Sequence, residues 1–279
     1  MKRKFTASAL IICMLSAFFV NVYAQKKAIT IKGSDTMVIL VQRWSELFRN
    51  KYKVDFQVTG GGSGTGIAAL INGTTDICSS SRPIKPEEVK QLKEKFNSKG
   101  VEVRVARDGI AIYAHKKNPV SKLTMDQIRD IFMGKITNWK QVGGPDKKIT
   151  LYSRENNSGT YEFFKEHVLL KKDFAASAQN MPGTAALINA ISKDPFSIGF
   201  GGAAYAKDVK ELAVAKDAKS EYVQPKEANI LSGKYPISRF LYFYLKNRPE
   251  GDTKKFVDWV ISKEGQKVVT EVGYFPIKK

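Results

Sequence analysis

The chain has 279 residues, more than one ordinary domain of roughly 100 to 200, so one large or two medium lobes are expected. Hydrophobic residues at 43%, charged at 26% and aromatic at 11% fit a folded globular protein and exclude collagenous, disordered and multi-span membrane classes. Lys and Arg number 46 against 27 Asp and Glu, a net +19 that attracts anions from nucleic acid to phosphate without choosing among them.

The first residues read as a secretory leader: Lys2, Arg3 and Lys4, an apolar run from Phe5 to Val20, then Val22, Tyr23 and Ala24, with cleavage expected after Ala24. Thr6, Ser8 and Ser16 interrupt the run, which falls short of the roughly 20 apolar residues of a spanning helix. Removing the leader leaves 43 basic residues against the same 27 acidic ones, so the exported chain keeps +16. Cys13 departs with the leader, and its setting before further apolar residues argues against lipid anchoring. Cys78 is then alone, so no internal disulfide forms and stability must come from packing.

Ala28 to Lys32 reads as a strand, Gly33-Ser34-Asp35-Thr36 as a turn, and Met37, Leu40, Val41, Trp44, Leu47 and Phe48 as one face of a helix. A strand at Val54–Val58, a glycine-rich turn at Gly60–Gly66 and a short helix core at Ile67–Ile71 repeat the pattern. A third strand at Asp76–Ser80 enters Ser81-Arg82-Pro83, and Pro86 opens the next helix. Strands at Val101–Val105 and Gly109–Tyr113 follow, then a Thr124/Gln127 capping box ahead of Ile128, Ile131 and Phe132. Further on come a strand at Ile149–Tyr152, helices at Tyr161–Leu169 and Thr184–Ile191, and a strand through Ile198-Gly199-Phe200. The stretch from Ala206 to Lys234 is lysine-rich and weakly patterned. An apolar run at Phe240–Leu245 and a terminal helix with Phe256, Val257, Val260 and Ile261 close the chain. Alternation of this kind predicts an α/β fold with mostly parallel sheets covered by helices.

Each strand-to-helix turn is rich in hydroxyls and small residues, and a helix starting there aims unpaired N–H groups and a partial positive charge at whatever sits before it. Ser34 and Thr36 lie in the first turn, Ser63 and Thr65 in the second, Ser79 to Ser81 with Arg82 in the third. The fourth runs Arg154-Glu155-Asn156-Asn157-Ser158-Gly159-Thr160. Arginine presents a planar donor fork to a tetrahedral oxyanion, and hydroxyls complete its shell without adding charge. The alternatives are that the hydroxyls merely cap helices, that Arg154 makes a surface ion pair, and that the glycines serve tight packing.

These four turns, in this order, resemble the phosphate-binding protein of bacterial phosphate ABC transporters. The likeness extends through Tyr235-Pro236-Ile237-Ser238-Arg239 and Gly273-Tyr274-Phe275-Pro276, and its most specific element is the arginine-to-Ser-Gly-Thr spacing. The resemblance implies a two-lobed periplasmic-binding-protein fold (type II) joined by two crossing strands, with one lobe at 25–112 and 240–279 and the other at 113–239. It implies capture of inorganic phosphate between the lobes and delivery to a membrane permease, by a periplasmic monomer that needs no cofactor or metal and is not an enzyme. Carried over, Ser34, Thr36, Ser63, Arg154, Ser158, Gly159 and Thr160 become the expected ligand set, with Ser81 and Arg82 as third-turn candidates. Members of the family place an aspartate just before the proline-containing turn to accept the phosphate proton. Ser81 and Arg82 stand there in this chain, so Asp35 becomes the candidate acceptor, able to receive a proton that sulfate does not carry.

Other classes find less support. Gly64-Thr65-Gly66-Ile67-Ala68-Ala69 fits a dinucleotide fingerprint, yet no acidic residue closes a strand about 20 residues on, and the turn lacks the Gly-Lys-Ser/Thr ending of a phosphate loop. His115 and His167 sit in no hydrolase or metal motif, and Ser63 and Ser158 lack the G-x-S-x-G setting. A receptor for sulfate, molybdate or a small phosphorylated compound is the main alternative; a phosphate-ester enzyme and a nucleic-acid binder rank lower, and no nucleic-acid partner is expected.

Overall fold

The computed structural model describes residues 28–277, so the expected cleavage site and Cys13 lie outside the described residues. The first unit is β1 (Ile29–Gly33), α1 (Val38–Tyr52), β2 (Phe56–Thr59), α2 (Ser63–Asn72), β3 (Ile77–Ser80) and α3 (Pro86–Phe96). β1 pairs in parallel with β2 and β3, so the carboxyl ends of these strands, and the turns that follow them, open on the same edge. β4 (Val101–Ala114) then leaves this sheet and enters a second one.

The second unit holds β5 (Lys122–Thr124), α4 (Met125–Phe132), β6 (Thr150–Arg154), α5 (Gly159–His167), β7 (Gln179–Met181), α6 (Thr184–Lys193), β8 (Ser197–Gly202), β9 (Lys210–Ala215) and α7 (Glu227–Leu231). β10 (Ser238–Leu245) returns to the first sheet, and α8 (Gly251–Val260) and α9 (Lys263–Val272) pack beneath it. The strand path runs β2-β1-β3-β10-β4-β8-β6-β7, with β9 between β4 and β5.

The passage between lobes is visible in the ladders. From Val101 to Gly109, β4 pairs with β10; from Ile110 to Ala114 it pairs with β8 and β9. Ile110 N–H donates to Ile237 O beside this change of partner, one residue before β10 begins. The cores follow the same division. Trp44, Phe243, Phe256 and Val260 belong to the first lobe's core, while Phe132, Trp139, Phe164 and Phe200 fill the second. Phe164 and Phe200 stack at 3.9 Å, and side chains of this size contribute roughly 1.5–3 kcal/mol each on burial.

Four local features differ from the sequence expectation. The two strands foreseen around Val105 and Gly109 are one, because a bulge opposite Leu241/Tyr242 absorbs the break in alternation. α2 begins at Ser63, four residues ahead of its apolar core, so its first turn is made of the glycine-rich segment itself. The weakly patterned 206–234 stretch contains β9 and α7, whose short lengths leave too few residues for a period to show. The terminal helix is two: Ser262 accepts from Gly265 N–H and starts α9 afresh.

Candidate functional site

The four turns meet where the lobes face each other. On the first-lobe side, Ser34 Oγ donates to Ser81 Oγ at 2.9 Å, Ser63 Oγ lies 3.3 Å from Ser81 Oγ, and Ser63 Oγ accepts Ser81 N–H at 3.0 Å. From the second lobe, Thr160 Oγ1 comes within 2.9 Å of Thr36 Oγ1. Ser34, Thr36, Ser63, Ser81, Ser158 and Thr160 are all buried, at 3% exposure or less. Hydroxyls at that depth need partners, and a cluster of them satisfies itself only in part.

Helix capping accounts for one of these hydroxyls. Neither α1 nor α2 has a side-chain cap at its first residue, so Ser34, Thr36 and Ser63 are not spent on their own helices. Ser158 is: its Oγ accepts the N–H groups of Thr160 and Tyr161, leaving the Gly159 N–H as the first-turn donor of α5 that the cap does not claim. A Cβ built on Gly159 would stand 2.3 Å from Ser63 Oγ and 2.8 Å from Ser81 Oγ, so this position tolerates only hydrogen while the lobes are together.

Arg154, 1% exposed, comes off the end of β6 into this cluster. Its Nη2 donates to Asp35 Oδ2 at 2.8 Å, Nη1 to Thr184 Oγ1 at 2.8 Å and Nε to Met181 O at 3.3 Å. A guanidinium carries five N–H donors, so one on each terminal nitrogen has no acceptor among the described residues. Burial pulls Arg154 below the usual arginine pKa, Asp35 opposes that shift, and a second guanidinium, Arg239, adds to it. Asp35 has both oxygens engaged, since Oδ1 accepts the Gly61 N–H at 2.8 Å. The Asp35–Arg154 pair therefore joins the two lobes across the cluster.

Arg82 is the sequence candidate that the structure does not bring to the cluster. Its fork closes on Glu88 with Nη2 2.6 Å from Oε1 and Nη1 2.8 Å from Oε2, and Nη1 also donates to Pro83 O. Glu88 in turn accepts the Lys85 N–H at the start of α3. Burial alone would raise the Glu88 carboxyl, but Arg82 and Lys85 outweigh it and hold it below its usual value. The reason is local: a carboxylate six residues on, at the N-terminal turn of a helix, presents a bidentate acceptor that a hydroxyl cluster cannot match.

Several residues of the site escaped the sequence reading. Asn157 grips the glycine-rich turn: its O accepts Gly64 N–H at 3.0 Å and its Nδ2 donates to Gly61 O at 3.1 Å. Tyr205 Oη, from the second lobe, donates to Asp35 O at 2.9 Å, and Tyr274 Oη donates to Thr36 O. Behind the hydroxyls, Arg239 on β10 pairs with the fully buried Asp108 on β4. The last two stand inside no strand foreseen from the sequence: Asp108 falls between the strands at 101–105 and 109–113, and Arg239 just ahead of the apolar run at 240–245. Among the described residues no cluster of His, Cys, Asp and Glu could hold a metal ion, and no helix is long and apolar enough to cross a membrane.

The arrangement offers a buried, donor-rich cluster between the lobes, suited to a compact anion. Comparison with known proteins points the same way. Residues 22–264 match the model of the PBP superfamily domain. A protein of Pseudomonas aeruginosa named phosphate-binding protein PstS is 35% identical over 263 residues, covering 88% of this chain and 81% of that one. A Staphylococcus epidermidis protein of the same name is 34% identical, covering 87% and 77%. Among solved structures, a Clostridium perfringens chain described as a phosphate ABC transporter substrate-binding protein, with bound phosphate, superposes with a TM-score of 0.83 at 32% identity, covering 90% of this chain and 100% of that one. An ABC-type phosphate transport receptor of Vibrio cholerae gives a TM-score of 0.70 at 30% identity, covering 88% and 99%. Two lobes joined by paired crossing strands, a buried hydroxyl cluster between them and these similarities together establish that the chain belongs to the phosphate-binding protein (PstS) family of the PBP superfamily.

Proposed function

We propose that this protein is an extracytoplasmic receptor that captures inorganic phosphate between its lobes and presents the closed form to the permease of an ABC transporter. The observation that carries the reading is Arg154: a fully buried guanidinium, held by Asp35, Thr184 and Met181, with two N–H groups unclaimed inside a cluster of buried hydroxyls. In this reading those two groups and the Gly159 N–H donate to phosphate oxygens, and the hydroxyls of Ser34, Thr36, Ser63, Ser81 and Thr160 turn from one another to complete its shell. Ser158 orders the first turn of α5, and Asp35 neutralises Arg154 and stands as the carboxylate nearest the anion. The relatives' names and the phosphate bound in the Clostridium perfringens chain support this ligand over others.

Lobe closure does the physical work, and no bond is made or broken. Closure replaces the water around a dianion with fixed donors, and binding is favourable only because those donors are already oriented. We take the lobe limits to lie where β4 exchanges β10 for β8 and β9, at 109/110, and where β10 begins, at 237/238. The basic, apolar and small-residue order of residues 2–24 supports export with cleavage after Ala24. We expect the receptor to act as a monomer and to turn over no substrate.

A second reading, a receptor for another tetrahedral oxyanion, rests on Ser81 and Arg82 standing where an acceptor aspartate is expected. Calorimetric titration of the mature protein with phosphate, sulfate and molybdate separates the two. Phosphate binding alone is the expected result; sulfate bound as tightly as phosphate would overturn the assignment.

A further inference from the structure

Asp108 and Arg239 face each other at register on the two crossing strands, one residue from the point where those strands pass between lobes. Both are buried, at 0% and 6% exposure. Arg239 Nε and Nη2 donate to Asp108 Oδ2 at 3.1 and 2.8 Å. Its Nη1 donates to Ser81 O at 2.8 Å and to Gly159 O at 3.5 Å, and Nη2 donates also to Thr160 Oγ1 at 3.0 Å. All five N–H groups therefore have protein acceptors, unlike those of Arg154, and none is left for a ligand.

What Arg239 holds is the informative part. Ser81 belongs to the first lobe and Gly159 and Thr160 to the second, so one side chain on the hinge ties together turns that only meet when the lobes are closed. A guanidinium has no lone pair, so Thr160 Oγ1 must accept from it. The single proton of Thr160 is then directed away from Arg239, towards Thr36 Oγ1 or the cleft. A hydroxyl free to rotate would divide its time between donating and accepting; this one is ordered as a donor.

We propose that the Asp108–Arg239 pair is a positioning device that orders the Thr36–Thr160 hydroxyls as donors and fastens the Ser81 and Gly159 turns in the closed state, strengthening phosphate binding without touching phosphate. The inference rests on the phosphate reading of the cleft. Asp108 fixes the plane of the Arg239 guanidinium, and the Phe163 ring lies 5.5 Å from it on the second-lobe side.

The test uses the mature protein and two variants, Arg239→Lys and the double change Asp108→Asn with Arg239→Met. Lysine keeps the charge beside Asp108 but cannot span Ser81, Gly159 and Thr160 at once. The double variant removes both charges and so avoids an uncompensated buried carboxylate. Phosphate affinity is read by calorimetry, release by stopped flow, compaction on adding phosphate by small-angle scattering, and folding by thermal midpoint. We expect both folded variants to bind at least tenfold more weakly and release phosphate faster than the wild type, with compaction requiring more phosphate and the double variant keeping its midpoint. A folded variant with wild-type affinity and release rate overturns the inference, as does a double variant that fails to fold, since the pair would then serve stability alone. Wild-type protein that takes no phosphate removes the phosphate reading and this inference together, whereas wild-type binding with unaffected variants removes the inference only.

Discussion

Replacing Arg154 by methionine tests the phosphate site most directly. Methionine fills a similar volume, so the loss is of donors and charge rather than packing. A hydrogen bond to a charged group is worth about 1.5–3 kcal/mol, and two N–H groups of Arg154 have no acceptor among the described residues, so removing them costs about 3 kcal/mol of binding at the low end. At about 1.4 kcal/mol per factor of ten, that is a loss of roughly a hundredfold. The change also leaves Asp35 Oδ2 unpaired, and at 19% side-chain exposure it is not fully hydrated, so its charge repels a dianion and deepens the loss. Removing the orphan with the further change Asp35→Asn should recover part of it. Fold integrity is checked separately, because Thr184 Oγ1 and Met181 O lose a donor and each such group costs about 1–3 kcal/mol if it stays dry. Calorimetry at 0.15 M salt, on protein freed of co-purified phosphate, reads the affinity. A folded Arg154→Met protein that binds phosphate within threefold of the wild type would refute the argument, and Arg154 would then be a structural ion-pair partner only.

Three further outcomes follow from the geometry. Gly159→Ala places a methyl against Ser63 and Ser81 only when the lobes close, so affinity should drop more than tenfold while the ligand-free melting temperature stays within about 2 °C of wild type; unchanged affinity would mean the turns sit farther apart in the bound state. Lys85 and Glu162 form an inter-lobe pair at 2.8 Å with a third and a quarter of their side chains exposed, worth about 0.5–1 kcal/mol, so Lys85→Met should speed phosphate release two- to fivefold in stopped flow, and exchanging the charges in Lys85→Glu with Glu162→Lys should restore it. Release that ignores both changes would exclude the pair from closure. Glu211 is raised to about 7 by burial, with Lys226 pulling it back, so the folded chain holds this proton more tightly than the unfolded one. Its stabilising share is complete below the unfolded carboxylate range and is lost as pH rises through about 7. The melting-temperature difference between Glu211→Gln and wild type should therefore grow from pH 5 to pH 8, and a constant difference would show that Glu211 does not titrate in that window.

What could be read without coordinates was whatever depends on neighbours along the chain. Apolar spacing placed α1 and α3, Thr124 and Gln127 announced the cap of α4, and four hydroxyl-rich turns located Ser34, Thr36, Ser63, Ser158 and Thr160 at helix starts. These signals are local because helix periodicity and capping are settled within about one turn of backbone. The elements that were missed, β9 and α7, are too short to carry a period and are held by the strands and core around them.

Partner choice, in contrast, belonged to the tertiary structure. Arg82 and Arg154 are alike in sequence, each beside serines at the end of a strand, yet one closes on Glu88 six residues away and the other on Asp35 119 residues away. Arg82 has its acceptor within its own turn-and-helix segment, whereas the partner of Arg154 depends on which carboxylate the folded chain delivers from far along the sequence. Asp108 and Arg239 lie 131 residues apart and become a pair only through the register of the two crossing strands. The chemistry on offer was thus written along the chain, while the lobe packing decided which donors were consumed by the protein and which were left for a guest, since burial and long-range register have no meaning before the strands have met.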